Sequence, residues 1–430
     1  MIQTFFSKTR LQFKVMPPLY LPFYNRWNAN AYYKYEPFDF DPFTLEACST
    51  SGSPVVIAGG SFFGFMNENG GHFSYDGRGT LTITCGAGQT LYFVEDCNPY
   101  AEWEKYSQAI LEGMPKQKQV QEKFWSGLEY CTWVEQKKEA ALQGKKNIQE
   151  CLNEQFVYNY MKRVDKLGLP KGKLTIDDGW DIRYAPDGQK VYGNWEIDRT
   201  KFPHMEKLVR DMKTEGFEPG LWFAPFTFTE NCELAKKYPH LVGELYQQSS
   251  ESGQKWLYIK PDEVLRTYYQ RVFSYYVEMG FRKFKLDIAY GNKAEMKQLL
   301  AMMYEIIKKL DQTIEVECHV PDIFVAQHCD TVRINDVKFD DEGRWRGTTM
   351  EHYKVCRYSA YGKILNLDHL GTNTPIPKEE DYLEHTKMLL ALEGGYPCVS
   401  LLPDFFGKKA EDVFANGIWE WQNRQNNSRN

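Results

Sequence analysis

Residues 173–180 read KLTIDDGW, residues 219–225 read PGLWFAP, and residues 283–287 read KFKLD. Each is a short strand-like run that ends on polar or aromatic side chains. Between them the periodicity turns helical. His204 to Thr214 sets Met205, Leu208, Val209 and Met212 on one face, and Gly216 ends it. Asp262 to Met279 carries Leu265, Tyr268, Val272, Tyr276 and Met279 at spacings of three and four. Pro261 stands before it and Gly280 just past it, as helix termini prefer. Ala294 to Leu310 repeats the pattern.

Working outward, strand candidates recur at Gly127–Trp133, Ile314–Cys318, Thr331–Asn335, Lys363–Leu367 and Pro397–Leu401. With the three above that makes eight, alternating with helices over roughly 300 residues, which predicts a closed parallel (β/α)8 TIM barrel. An open doubly wound sheet is the alternative, but no GxGxxG follows a strand. A last helix near Val413 to Gln422 almost exhausts the chain. The first 115 or so residues read differently. Arg10 to Val15, Pro54 to Ala58, Thr80 to Thr84 and Thr90 to Val94 are short β runs separated by turn residues, as at Asn69-Gly70-Gly71. We expect a small antiparallel, sandwich-like β domain over residues 1–115 and the barrel over 116–430, with the polar Lys116–Gln119 stretch at the boundary.

Composition narrows the function. The 430 residues are 42% hydrophobic, enough for a sizeable core, and the net charge is −6. A mildly acidic chain carries no electrostatic footprint for nucleic acid. No apolar run is long enough to span a membrane, and Lys8, Arg10 and Lys14 interrupt the N-terminus too early for a signal peptide. Ten scattered cysteines without a CxxC pair fit reduced thiols and a cytoplasmic protein. The 11 Trp, 28 Tyr and 27 Phe are chiefly core residues by type, with a carbohydrate groove as the functional reading of some. Eight histidines show no HExxH and no close pair, and no P-loop is present, so no cofactor or metal is expected.

Barrel active sites lie at the C-terminal ends of the strands. Read there, the candidates end Asp177-Asp178-Gly179-Trp180, Asp287, Glu317-Cys318-His319, Asn335-Asp336 and Asp368-His369. Any one acid has a bland account: Asp177 or Asp178 capping a loop, or Asp336 pairing with Arg333. Several acids at one rim point instead to a joint task. Two carboxylates facing across a barrel mouth suit glycoside cleavage. Lys285, two residues before Asp287, points to the same side of its strand and would keep a carboxylate ionised. His319 and His369 also sit at strand ends.

These pieces, in order, resemble the α-galactosidases of glycoside hydrolase families 27 and 36, and more loosely the α-glucosidases and α-xylosidases of family 31. The carriers are IDDGW at 176–180, the stretch GNWEIDRTKFPHMEKLVRDMKTEGFEPGLWFAP at 193–225, YIKPDEV at 258–264, FKLD at 284–287 and VRIND at 332–336. The resemblance implies a retaining α-glycoside hydrolase, most closely an α-galactosidase, with Asp287 as nucleophile and Asp336 as acid/base. It places Asp177, Asp178, Trp222, Lys285, Cys318 and Arg333 against the sugar. An oligosaccharide or glycoside would be the substrate, and a homo-oligomer is a further expectation from the family. The spacing from Arg333 to Asp336 is three, where the resemblance implies four or a different motif, so Asp340 and Asp341 are fallback acids. Two other readings stay open: an α-glucosidase or α-xylosidase on the same barrel, or a barrel that binds sugar without cleaving it. A Schiff-base enzyme using Lys285 is a more distant third.

Overall fold

The computed structural model describes residues 1–22, 43–50, 53–68, 71–114, 123–184, 189–249 and 253–427. Eight parallel strands close into a barrel: β1 (Glu129–Cys131), β2 (Lys173–Ile176), β3 (Glu218–Phe223), β4 (Lys283–Leu286), β5 (Glu315–Cys318), β6 (Thr331–Arg333), β7 (Ile364–His369) and β8 (Gly395–Val399). Pairing runs in sequence order, and β8 returns to β1 with Glu129 opposite Cys398. All eight candidate strands are found at the places read from the sequence.

Helices α1 (Pro99–Gly113), α2 (Trp133–Leu142), α3 (Met205–Thr214), α4 (Glu263–Met279), α5 (Lys293–Leu310), α6 (Trp345–Ser359) and α7 (Lys408–Asn427) are among those that surround or flank the barrel. Their ends follow local chemistry. Asp262 caps α4 by accepting from the Val264 N–H, and Gly280 closes it at φ +114°, a left-handed conformation that a side chain resists. Before the barrel lie two antiparallel sheets, one of six strands and one of four. Phe63, Leu81, Ile83 and Leu91 are among the fully buried side chains of the core they share. The Lys116–Gln119 boundary and the Asn69-Gly70 turn lie outside the described residues.

Strand parity fixes what faces the barrel axis. On β4, Phe284 packs outward on Phe223 and Phe273, while Lys283 and Lys285 point inward. On β5, Glu315 and Glu317 point inward. The barrel floor is therefore charged where barrel interiors are usually branched and apolar. Lys173 donates to Glu315 at 3.1 Å, and Lys283 sits between Glu129 and Glu317, the latter at 2.6 Å. Asn366 donates to both Glu129 (3.0 Å) and Glu317 (2.8 Å), and the Tyr396 hydroxyl donates to Glu315 and Glu317. These ionic side chains are fully buried. Such a lattice is stable only while every charge keeps its partner. Lys283→Met would leave Glu129 and Glu317 uncompensated. It should cost about 3–5 kcal/mol of unfolding free energy, read by urea denaturation at pH 7.

Candidate active site

The acidic strand ends meet at the C-terminal mouth of the barrel. Asp287 follows β4, and its backbone N–H donates to the Phe223 carbonyl at 2.7 Å, which extends the β3–β4 pairing by one residue. Its carboxylate accepts from Trp222 Nε1 at 3.1 Å, from Arg333 Nη2 at 3.3 Å and from the Ile288 N–H at 2.8 Å. Ile288 adopts φ +54°, a strained conformation for a β-branched residue. That turn of the backbone is what brings its N–H back to the carboxylate. Burial alone would raise the Asp287 pKa. Arg333 and Lys285 outweigh it and hold the carboxyl well below the usual range. The side chain keeps 21% of its surface exposed, so it is ionised and reachable from the mouth.

Arg333 gathers the site. Nη1 donates to Asp336 at 2.7 Å and to Asp368 at 3.1 Å, Nη2 donates to Asp287, and Nε lies 3.8 Å from Glu317 of the floor. Asp336 also accepts from Asn373 Nδ2 at 2.5 Å, and Lys137 of α2 donates to Asn373 Oδ1 at 2.5 Å. The short Arg-Ile-Asn-Asp spacing thus still delivers Asp336 to the guanidinium. The fallback acids lie elsewhere. Asp340 accepts from the Arg344 N–H at 2.9 Å and Asp341 pairs at the surface with Lys378.

The sugar-facing candidates divide in two. Asp177 accepts from Lys285 Nζ at 2.7 Å and from the Cys131 thiol at 3.1 Å, and it is almost fully buried. Asp178 pairs with Arg183 and accepts from Gln149 Nε2 at 2.6 Å. Gly179 lets this corner pass Gln149, whose Cβ lies 2.8 Å from where a glycine Cβ would stand. Trp222 and Lys285 reach the same rim. Cys318 does not join them. It alternates with the inward Glu317 on β5 and faces the helical shell, and burial pushes its thiol pKa up to about 12. The inward residue there is His319, whose Nε2 accepts from the Ala289 N–H at 3.0 Å and lies 3.5 Å from Asp287. With Nε2 accepting, the ring proton sits on Nδ1, a buried atom without a hydrogen-bond partner in the protein. Burial lowers this histidine to about 4, so it is neutral.

The sequence reading gave no role to Asp368, Arg183, Gln149, Asn373 or Lys137. Parity along Asn366-Leu367-Asp368 marks Asp368 as inward. No local signal marks the others, which arrive from loops and from α2. Among the described residues, two groups bring metal-type donor atoms within 4.8 Å: Asp336, Asp368 and His369; and Cys131, His369 and Cys398. Arg333 already neutralises the first. In the second, Cys131 donates its thiol proton to Asp177, and burial pushes the Cys398 pKa up. Neither is a metal centre as it stands.

Residues 106–303 match the family model described as Melibiase. An α-galactosidase, AgaA of Geobacillus stearothermophilus, is 30% identical over 88 residues, which is 20% of this chain and 12% of that relative. Among solved structures, the Thermus thermophilus α-galactosidase TtGalA in complex with stachyose superposes with a TM-score of 0.65 at 14% identity, covering 97% of this chain and 96% of that one. A family 31 α-xylosidase from a soil metagenome, complexed with xylose, gives 0.66 at 12% identity over 96% of this chain and 64% of its own. The chain thus resembles the clan its motifs indicate, with sequence similarity concentrated in the first half of the barrel and fold similarity throughout.

Arg333 holds Asp287 in its depressed, ionised state. The attraction is fully present above the unfolded carboxyl pKa of about 3.9 and is lost as pH falls toward the folded value. Arg333→Met should lose about 3–5 kcal/mol at pH 7, because the ionised Asp287 and Asp336 lose their shared counter-charge. That deficit should shrink as pH falls below about 4, where the acids protonate. Denaturant titrations at several pH values would check this, and a deficit independent of pH would contradict it.

Proposed function

We propose that this chain is a retaining α-glycoside hydrolase of the α-galactosidase type, with Asp287 as nucleophile and Asp336 as acid/base. The observation that carries the reading is that one guanidinium binds both carboxylates at the barrel mouth. Asp287 is held ionised with one oxygen on Trp222, as a nucleophile toward an anomeric carbon needs. Asp336 faces it across Arg333, where it can protonate the leaving oxygen and later activate water. The buried Asp177, Lys285 and Asp178, with Trp222 alongside, would hold sugar hydroxyls by charge-assisted hydrogen bonds and an aromatic face. The Melibiase match and the α-galactosidases among the relatives support galactose as the sugar.

A panel of p-nitrophenyl α-galactoside, α-glucoside, α-xyloside and α-N-acetylgalactosaminide tests this. The α-galactoside should be turned over best. Asp287→Gly should abolish turnover, and added azide should restore it by yielding the β-galactosyl azide. Turnover of a different α-glycoside alone would reassign the sugar. Turnover that survives Asp287→Gly without azide would refute the nucleophile.

A further inference from the structure

The geometry points to Asp336 and Asp368 holding one proton in common, with Asp368 as the positioning residue that keeps the acid charged with its proton. This rests on the hydrolase reading above. An acid/base must carry a proton in the first step, yet Asp336 alone is poorly placed to keep one. It bonds Arg333 on one oxygen and Asn373 on the other, with Lys137 behind Asn373. Burial raises its pKa, but Arg333 and Lys137 outweigh that and pull it below the usual range.

Asp368 supplies what is missing. It stands at the inward end of β7, almost fully buried, and its Oδ1 meets the same Arg333 nitrogen that holds Asp336. The two carboxyls lie within 4.8 Å and interact directly. His369 Nε2 lies 3.6 Å from Asp336 and 3.4 Å from Asp368. Asp368 is fixed in this pose by a φ of +57° and by its N–H donating to Asn366 Oδ1 at 2.9 Å. Like-charge repulsion between two carboxyls this close, with one guanidinium between them, favours one ionised and one protonated. Burial, then the charge of Asp336, pushes Asp368 well up, so the proton rests there while Arg333 keeps Asp336 anionic.

The charges facing the pair come from every side. Arg333 of β6 and Lys285 of β4 are cations, as is Lys137 of α2. Asp287 and the floor residue Glu317 are anions. His369 and, beneath Asp336, His352 of α6 are both held neutral by burial. Glu317 is bonded by Lys283 of the floor at 2.6 Å, Lys285 and Arg333 are matched one for one by Asp177 and Asp287, and Lys137 is left to offset a single negative charge on the pair, which therefore holds one proton. In the first step that proton passes through Asp336 to the glycosidic oxygen. The C–O bond breaks as an Asp287 oxygen bonds the anomeric carbon, and the pair goes from one proton to none. In the second step water attacks that carbon, Asp287 leaves, and the proton of the water returns to the pair.

Asp368→Asn tests this with two substrates. A leaving group that needs protonation, as in methyl α-galactoside, should lose about 100-fold in kcat/KM, the low end of general-acid contributions. 2,4-Dinitrophenyl α-galactoside needs no acid and should change little. The alkaline limb of kcat/KM should move to lower pH, because Asp336 is left with Arg333 and no neighbouring anion. Equal losses on both substrates with an unmoved alkaline limb would overturn the proposal and reduce Asp368 to packing. Infrared difference spectra at neutral pH give a readout independent of turnover: wild type should show a protonated carboxyl that disappears in Asp368→Asn. If that variant does not fold, Asp336→Asn reports from the other side, since a lone Asp368 beside Arg333 ionises. Wild type that cleaves no α-glycoside but shows the band would sink the hydrolase reading and leave the shared proton standing. Absence of the band in wild type would sink the shared proton itself.

Discussion

The Arg333 guanidinium is the constraint on which the barrel mouth depends. Buried to 5% exposure, it touches Asp287, Asp336 and Asp368 and leans on Glu317. Its always-ionised, planar fork suits this task, because three acids from three different strands can be set at fixed angles around it. A lysine would offer a point charge and would leave their mutual orientation free. Through Glu317 the fork also joins the floor, where Lys173 and Lys283 offset Glu129 and Glu315. Rim and floor are one electrostatic system. The surplus negative charge of the floor meets the positive charge of the rim.

That continuity explains what the sequence could and could not reveal. The strands were legible because each is short, bounded and followed by a helix with a clear apolar face. Asp287, Asp336, Asp177, Asp178, Lys285 and Arg333 were legible because each stands at a strand end, where barrel chemistry gathers. Cys318 was misplaced for a reason that parity makes plain: Glu315, Glu317 and His319 alternate inward, so the cysteine between them turns outward. The same alternation in Lys283-Phe284-Lys285-Leu286-Asp287 announced a charged interior. It is easily taken for a half-solvated strand, since polar-apolar alternation usually marks one wet face. Arg183, Gln149, Asn373 and Lys137 were not legible at all. They reach the site from loops and from α2, and only the closed barrel brings them together.

The comparisons and the geometry speak to different questions. The match to the Melibiase family model includes α3, β3 and β4, which build the wall that holds Trp222 and Asp287. The acid side, from β6 to β7, lies beyond that match. There the chain keeps the fold, and the three-residue step from Arg333 to Asp336 presents the carboxylate to the guanidinium.

Helix α1 is the seam of the molecule. Trp103 stacks on Tyr358 of α6 at 5.5 Å, Ser107 donates to the Tyr358 carbonyl, and the Tyr106 hydroxyl donates to the Phe65 carbonyl of the six-stranded sheet. Tyr20, Val55, Ile57 and Phe62 of that sheet belong to the same apolar core as the barrel. A barrel expressed without the sheets that precede α1 would therefore present a raw aromatic face along α1, where Trp103 and Tyr106 meet Phe62. The β domain is a lid on the barrel's own core, and swapping it for another would mean rebuilding the sheet-facing surface of α1.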